Sequence, residues 1–167
     1  IGSNLLISIT SQLNPTTILK IEKITITEGS YIKIGKKYFA DNLSPLKFTA
    51  IANNDGQHLT ETKGTFRVTD KKNSEVLYMQ GILPQNVIAK TKRNLVSIDE
   101  KQFTFKPSLY DFGNYTISFD IKTDNTNTSN SIDIYFFPFK ASITFLVAIF
   151  LLRTITATTK GQKTVEK

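Results

Sequence analysis

Apolar residues that recur at every second position set the firmest limit on what this chain can fold into. In Tyr115-Thr116-Ile117-Ser118-Phe119-Asp120-Ile121 the apolar and polar side chains alternate without a slip, the period of a strand with one buried and one wet face. Thr65-Phe66-Arg67-Val68-Thr69 predicts Phe66 and Val68 inward. Lys47 to Ala52 is rich in β-forming residues, and Ile132, Ile134 and Phe136 carry the same period. Between Ile21 and Ile26 the alternation is imperfect: Ile21, Lys23 and Thr25 share one side while Ile24 and Ile26 fall on the other. That stretch reads as a strand whose inward face is left unassigned.

Turn residues punctuate these runs at fairly even spacing. They include Glu28-Gly29-Ser30, Ile34-Gly35-Lys36, Asn42 to Pro45, Asn53 to Gly56, Lys72-Asn73-Ser74, Leu83 to Asn86 and Asp124 to Asn130. Asp55-Gly56 is the strongest turn among them, because both residues tolerate positive φ. Seven or so short strands with no helical periodicity before residue 138 predict an all-β fold, an antiparallel sandwich. Residues 15–137 form this domain. Residues 1–14, with Leu5 to Thr10 as a terminal strand, read as the end of a preceding domain or a linker, so the chain is expected to be a fragment or a processed product.

Composition narrows the chemistry. There is no cysteine, which excludes disulfides, thiolate metal sites and a cysteine nucleophile together. An extracytoplasmic β-domain without disulfides leans toward a prokaryotic surface. The formal net charge is +7, but the lysines are spread singly along the strands, and only Lys90-Thr91-Lys92-Arg93 clusters, reading as a loop. No Arg-rich stripe or nucleic-acid reader motif is present, so nucleic acid is not an expected partner.

The end of the chain changes character. From Ile134 to Leu152 it is almost wholly apolar, and residues 138–157 are expected to form one transmembrane helix. Lys140 and Arg153 would snorkel at its two ends. Phe137, Pro138, Phe139 and Lys140 form the membrane junction, with the aromatic residues at the interface and Pro138 where a first helical turn tolerates it. The basic tail 158–167 would lie in the cytoplasm under the positive-inside rule, and the sandwich outside. The expected localisation is therefore the cell membrane, single-pass, with the lipid bilayer as a partner of the helix.

Asp111-Phe112-Gly113-Asn114-Tyr115 resembles the D-x-G-x-Y lead into strand F of immunoglobulin-like domains. There the glycine makes the corner and the tyrosine hydroxyl bonds back across it. Asp111, Gly113 and Tyr115 are thus expected to form a structural corner, with Ile117 where antibody-type domains carry cysteine. Asn53 to Leu59 followed by Gly64, the Asp111 to Tyr115 corner, and Phe136-Phe137-Pro138-Phe139-Lys140 together resemble the membrane-anchored end of bacterial surface proteins of the WxL-interacting type. That resemblance spans roughly residues 18–155. It departs from the family's pattern at Phe139, where tryptophan is usual, and at Thr60-Glu61-Thr62. It implies a role in surface complexes, with a surface protein or cell-wall polymer as partner.

No catalytic constellation is legible. His58 is the single histidine and stands beside a turn; a metal site would need companions. Asp99, Glu100, Asp120 and Asp124 are carboxylates of strand ends and loops, and the glycines, Gly64 included, read as isolated turn residues. No enzyme, no cofactor and no metal are expected. The expected function is a membrane-anchored extracellular immunoglobulin-like module, acting as the stalk or adhesion domain of a bacterial surface protein. The alternative is an accessory subunit of a membrane-bound secretion or transport assembly, with Ala141, Ser142 and Ala148 permitting close helix contacts.

Overall fold

The computed structural model describes residues 18–99, 101–123 and 126–162, with side chains as far as 154. Within them the elements run β1 (Leu19–Glu28), β2 (Tyr31–Ile34), β3 (Lys37–Ala40), β4 (Leu46–Asn54), β5 (Thr60–Asp70), β6 (Val76–Val87), β7 (Thr91–Asn94), β8 (Phe103–Phe105), β9 (Gly113–Lys122), β10 (Asn127–Phe136) and α1 (Phe139–Gln162). Residues 1–17, which include the 1–14 expected to end a preceding domain or form a linker, lie outside the described residues, as do Glu100, Asp124 and 163–167 of the basic tail.

Two sheets face each other. One has the order β1-β4-β7, with β8 also paired to β4; the other runs β2-β3-β10-β9-β5-β6. Their inner faces meet in an aromatic core. Phe66 on β5 sits 5.5 Å from Phe48 on β4 and 4.9 Å from Phe119 on β9, and Phe103 on β8 meets Phe119 at right angles. Burying each such ring stabilises the fold by about 2–3 kcal/mol. The predicted inward residues are there: Phe66, Val68, Ile117, Phe119, Ile121, Ile134 and Phe136 are buried, and Ile132 packs against them half-buried.

The slip in the first strand has a cause. The pairing of β1 with β4 shifts between Ile21 and Lys23. One extra residue there turns the strand over, so Leu19 and Ile21 point inward before the bulge and Ile24 and Ile26 after it. A bulge converts imperfect alternation into continuous burial of one sheet face.

Several expectations are corrected. The sandwich is not antiparallel throughout: β3 runs parallel to β10, with Tyr38 to Ala40 beside Ile134 to Phe136. After β1 the chain turns at Gly29 (φ 129°) and crosses to the second sheet. There the β2–β3 hairpin brings β3 alongside β10 in the same direction. Thr91 to Asn94 are not a loop but the edge strand β7, paired with β4. The Asn53 to Gly56 turn exists, but neither Asp55 nor Gly56 has positive φ. Buried Asn54 makes it instead: its Oδ1 accepts the Gly56 N–H at 2.9 Å, while its Nδ2 donates to the carbonyls of His58 and Val87. Gly64 is not a turn residue either; it lies within β5 at a register shift, and a Cβ there would stand 1.9 Å from the Asp120 carbonyl oxygen.

The membrane-spanning expectation and the single-pass cell-membrane localisation are also corrected. A helix forms where one was expected, yet no helix among the described residues is long and apolar enough to cross a membrane. The apolar run between Lys140 and Arg153, residues 141–152, rises only about 18 Å against the roughly 30 Å of a bilayer core. Extending it required both cations to snorkel. Lys140 is held to the sandwich instead, with its Nζ 3.1 Å from Ser44 Oγ and 3.8 Å from Asp41.

Candidate functional site

The outer face of the six-stranded sheet carries a cleft built by strand register. On β10, Ile134 and Phe136 point into the core, so Asp133 and Tyr135 point out. The parallel pairing sets Phe39 of β3 beside Tyr135, with ring centroids 5.9 Å apart and planes tilted by 48°. On the other side the antiparallel pairing sets Asn114 beside Tyr135 and Thr116 beside Asp133. Lys71 arrives from the turn after β5, where its N–H donates to the Asn114 carbonyl at 3.0 Å. A hollow of about 330 Å³ is lined by Phe39, Lys71, Asn114, Asp133 and Tyr135, with Lys37 and Tyr38. A second hollow of about 440 Å³, walled by Lys72, Phe112 and Gly113, shares Lys71 and Asn114 with it.

Electrostatics in the cleft are settled by Asp133. Its Oδ2 accepts from Lys71 Nζ at 2.5 Å and its Oδ1 from the Thr116 hydroxyl at 3.0 Å. The Lys71 ammonium holds the Asp133 carboxyl below its ordinary range against the opposing effect of burial, with Thr116 and Lys37 helping. The carboxylate is thereby ionised and occupied on both oxygens. What the cleft presents outward is the Lys37 ammonium, the Lys71–Asp133 ion pair, an amide and two aromatic rings, a set suited to recognition by charge, hydrogen bonds and ring stacking.

The predicted corner borders this cleft. Asp111 closes its loop by accepting the Ser108 N–H at 2.6 Å, and Gly113 has φ 115°, a conformation that L side chains rarely adopt. Tyr115 begins the buried face of β9, its ring edge-on to Phe136 at 5.1 Å. Its hydroxyl departs from the expected arrangement: among the described residues it makes no hydrogen bond back across the corner. Burial pushes its pKa up, and the nearby Asp111 and Asp70 carboxylates add to that. The loop is held from the other side by Asn42, buried to 1% exposure. Asn42 Nδ2 donates to the Leu109 carbonyl at 2.9 Å and the Asp111 carbonyl at 3.5 Å. Nothing in the sequence around Asn42 distinguished it from an ordinary turn residue.

The junction residues follow β10 at the end of β3. Phe137 N–H donates to the Ala40 carbonyl, and the Pro138 carbonyl accepts both the amide and the hydroxyl of Ser142 at the first turn of α1. Phe139 opens the helix half-buried and Lys140 reaches back to Asp41 and Ser44. Asp41 is fully buried, and its Oδ2 has no hydrogen-bond partner, so the Lys140 charge at 3.8 Å acts on it through space alone. From Ile143 to Thr154, Arg153 included, every side chain is exposed. His58 lies in the bend after β4, and Asp120 pairs with Arg67 at 2.6 Å. Among the described residues no three His, Asp or Glu side chains gather to hold a metal ion.

No family model matches the chain, and neither does any curated protein. Among solved structures, the CARDB domain of a Pyrococcus furiosus protein, in complex with di-metal ions, is similar at 12% identity and a TM-score of 0.45. The match covers 81% of this chain and 100% of that one. A β-glucosidase from Erythrobacter marinus is similar at 11% identity and a TM-score of 0.41, over 71% of this chain but only 15% of the glucosidase. Likenesses this remote leave the architecture to be argued from strand order alone.

Proposed function

We propose that this chain is a non-enzymatic immunoglobulin-like module of a bacterial surface protein, a stalk or interaction domain that meets its partner through the Phe39–Tyr135 cleft. The strand order supports the immunoglobulin-like assignment. With β4 taken as strand B, β5 as C, β9 as F and β10 as G, one sheet reads A-B-E and the other G-F-C-C′, the division found in immunoglobulin domains. The left-handed Gly113 two residues before buried Tyr115 supports the same reading. The resemblance to surface proteins of the WxL-interacting type points to a surface protein or cell-wall polymer as the partner.

The observation that carries the binding role is the convergence of Lys37, Phe39, Lys71, Asn114 and Tyr135 on one face. The test immobilises the full chain and offers it a surface-protein extract and purified cell-wall sacculi in parallel, at two salt concentrations. Salt-resistant capture of one protein, lost in Tyr135→Ala, is the expected result. Equal capture by Tyr135→Ala sinks the cleft as the binding face, and salt-sensitive adherence to sacculi alone makes the domain a spacer.

A second reading rests on α1. Phe145, Leu146, Phe150 and Leu152 are each more than 60% exposed, on a helix apolar around its whole circumference. Such a helix fits an accessory subunit embedded in a larger assembly, enclosed by its partner on every side. Scrambling residues 141–152 at constant composition separates the two: an accessory subunit loses its place in the assembly, whereas a cleft-binding module keeps its capture.

A further inference from the structure

Resting on the proposal that the Phe39–Tyr135 cleft is the binding face, we infer that this cleft and the hollow beside it are adjacent subsites for one ligand. The ligand is an anionic glycan, a chain of sugars bearing carboxylate or phosphate groups, carried by a surface protein or by the wall. Each hollow sets an exposed aromatic ring beside a lysine that has no partner. In the first, Tyr135, 37% exposed, stands with Lys37. In the second, Phe112, 52% exposed, stands with Lys72. Neither ammonium group takes part in a hydrogen bond or an ion pair among the described residues. The wall that the hollows share holds Lys71, tied to Asp133, and Asn114, whose side-chain amide makes no hydrogen bond there either.

Charge sets the sign of the ligand. Across the two hollows the ammonium groups of Lys37, Lys71 and Lys72 face the carboxylates of Asp70 and Asp133. Both carboxylates are engaged within the protein. Asp133 accepts from Lys71 and Thr116, and Asp70 Oδ1 accepts the Lys72 N–H at 2.8 Å. An incoming ligand therefore meets two unpaired ammonium groups, one in each hollow. These favour an anionic group on each of two successive units.

The floor of the hollows decides between a glycan and an acidic peptide. Peptides dock on sheets by adding a strand to an exposed edge, where backbone groups are unpaired. Here the floor is the interior of the sheet: β10 is paired with β3 on one side and β9 on the other, and β9 in turn with β5. A ligand meets side chains alone. A pyranose ring suits them, because one face of it is apolar C–H and its rim carries hydroxyl and acid groups. Its face lies on Tyr135 or Phe112, a rim hydroxyl bonds to the Asn114 amide, and the acid groups reach Lys37 and Lys72. Two linked sugars bind more tightly than one, since the first holds the second close to its subsite.

The test titrates the full chain with galacturonic acid as monosaccharide, trisaccharide and hexasaccharide. A phosphodiester-linked hexose series, a neutral galactose series and oligoglutamate of matched charge run alongside. Affinity for one of the two anionic sugar series is expected to rise about ten-fold from monosaccharide to trisaccharide and little further to the hexasaccharide. Which series does so tells carboxylate from phosphate. Phe112→Ala and Lys72→Gln each abolish the rise without lowering the melting temperature. Excess trisaccharide displaces the captured partner, and its release from the extract or from the sacculi tells which of them bears the glycan. A rise that continues with length, oligoglutamate bound as tightly as the sugars, or no binding of either anionic series overturns the inference. So does a Phe112→Ala chain that binds the trisaccharide like the unmodified one. If capture still depends on Tyr135 in those cases, the cleft remains the binding face; if Tyr135→Ala alters neither capture nor sugar binding, the cleft falls as well.

Discussion

Glycines at three positions separate two costs that are often merged, conformation and space. Gly35 has φ 60° and open space around it, so it occupies the left-handed region that asparagine also tolerates. Gly113 also has open space, but its φ of 115° lies where side chains are strained. At Gly64 the backbone of β9 lies where the Cβ would go. Gly35→Asn is expected within about 0.5 kcal/mol of neutral. Gly113→Ala should cost about 1–2 kcal/mol through backbone strain. Gly64→Ala should cost most, about 3 kcal/mol or more, because β5 and β9 must move apart. Chemical denaturation of the three variants checks the order, and Gly113→Ala falling below Gly64→Ala in stability would reverse the argument. The corner glycine was legible from Asp111-Phe112-Gly113-Asn114-Tyr115. The close approach at Gly64 was not, since it depends on a neighbour 56 residues away.

At the scale of elements, α1 and the sandwich are joined by few contacts. Along α1 only Phe139 and Ser142 are half-buried among the described side chains, and Lys140 supplies the tie to Ser44 and Asp41. A chain ending at Pro138 should therefore keep its cooperative unfolding. It should lose only a few degrees in Tm, because the ties removed are those of Lys140 to Ser44 and Asp41. It should also lose most of its binding of hydrophobic dye, since α1 bears the largest exposed apolar surface described. Calorimetry and dye titration of the shortened chain test this; loss of cooperative unfolding would show that α1 is integral to the sandwich. The helix was legible as an apolar run, but its reach was not. Whether Lys140 extends away from the protein or turns back to Ser44 and Asp41 is a tertiary outcome.

Over the whole molecule, stability against pH follows from two ion-paired carboxylates and the lysine beside one of them. Asp133 is lowered by Lys71 and its neighbours, and Asp55 by Lys20. Carboxylates with depressed values contribute stability that is present above their unfolded value, about 3.9, and lost as pH falls through the folded value. Lys20 is raised by Asp55, so its contribution is complete below about pH 10.4 and lost as pH rises past that point. Both effects are small, because these pairs stand at the surface and are screened by salt. The melting temperature should therefore be flat from about pH 5 to 9 and fall more steeply below pH 4 than it does in Asp133→Asn. An equal acid slope in that variant would remove Asp133 from the account.

The period-two alternation by itself determined the β class and the inward faces of β5, β9 and β10, because these follow from neighbours in sequence. The bulge that turns β1 over was visible only as a slip in that alternation. The parallel β3–β10 pair, the edge strand at Thr91 to Asn94, the buried Asn42 and the cleft were decided by tertiary structure alone. Each depends on which strands lie side by side, and Phe39, Lys71, Asn114 and Tyr135 come from four separate parts of the chain. Sequence periodicity tells which way a side chain points. Only the pairing of distant strands tells which side chains it then meets.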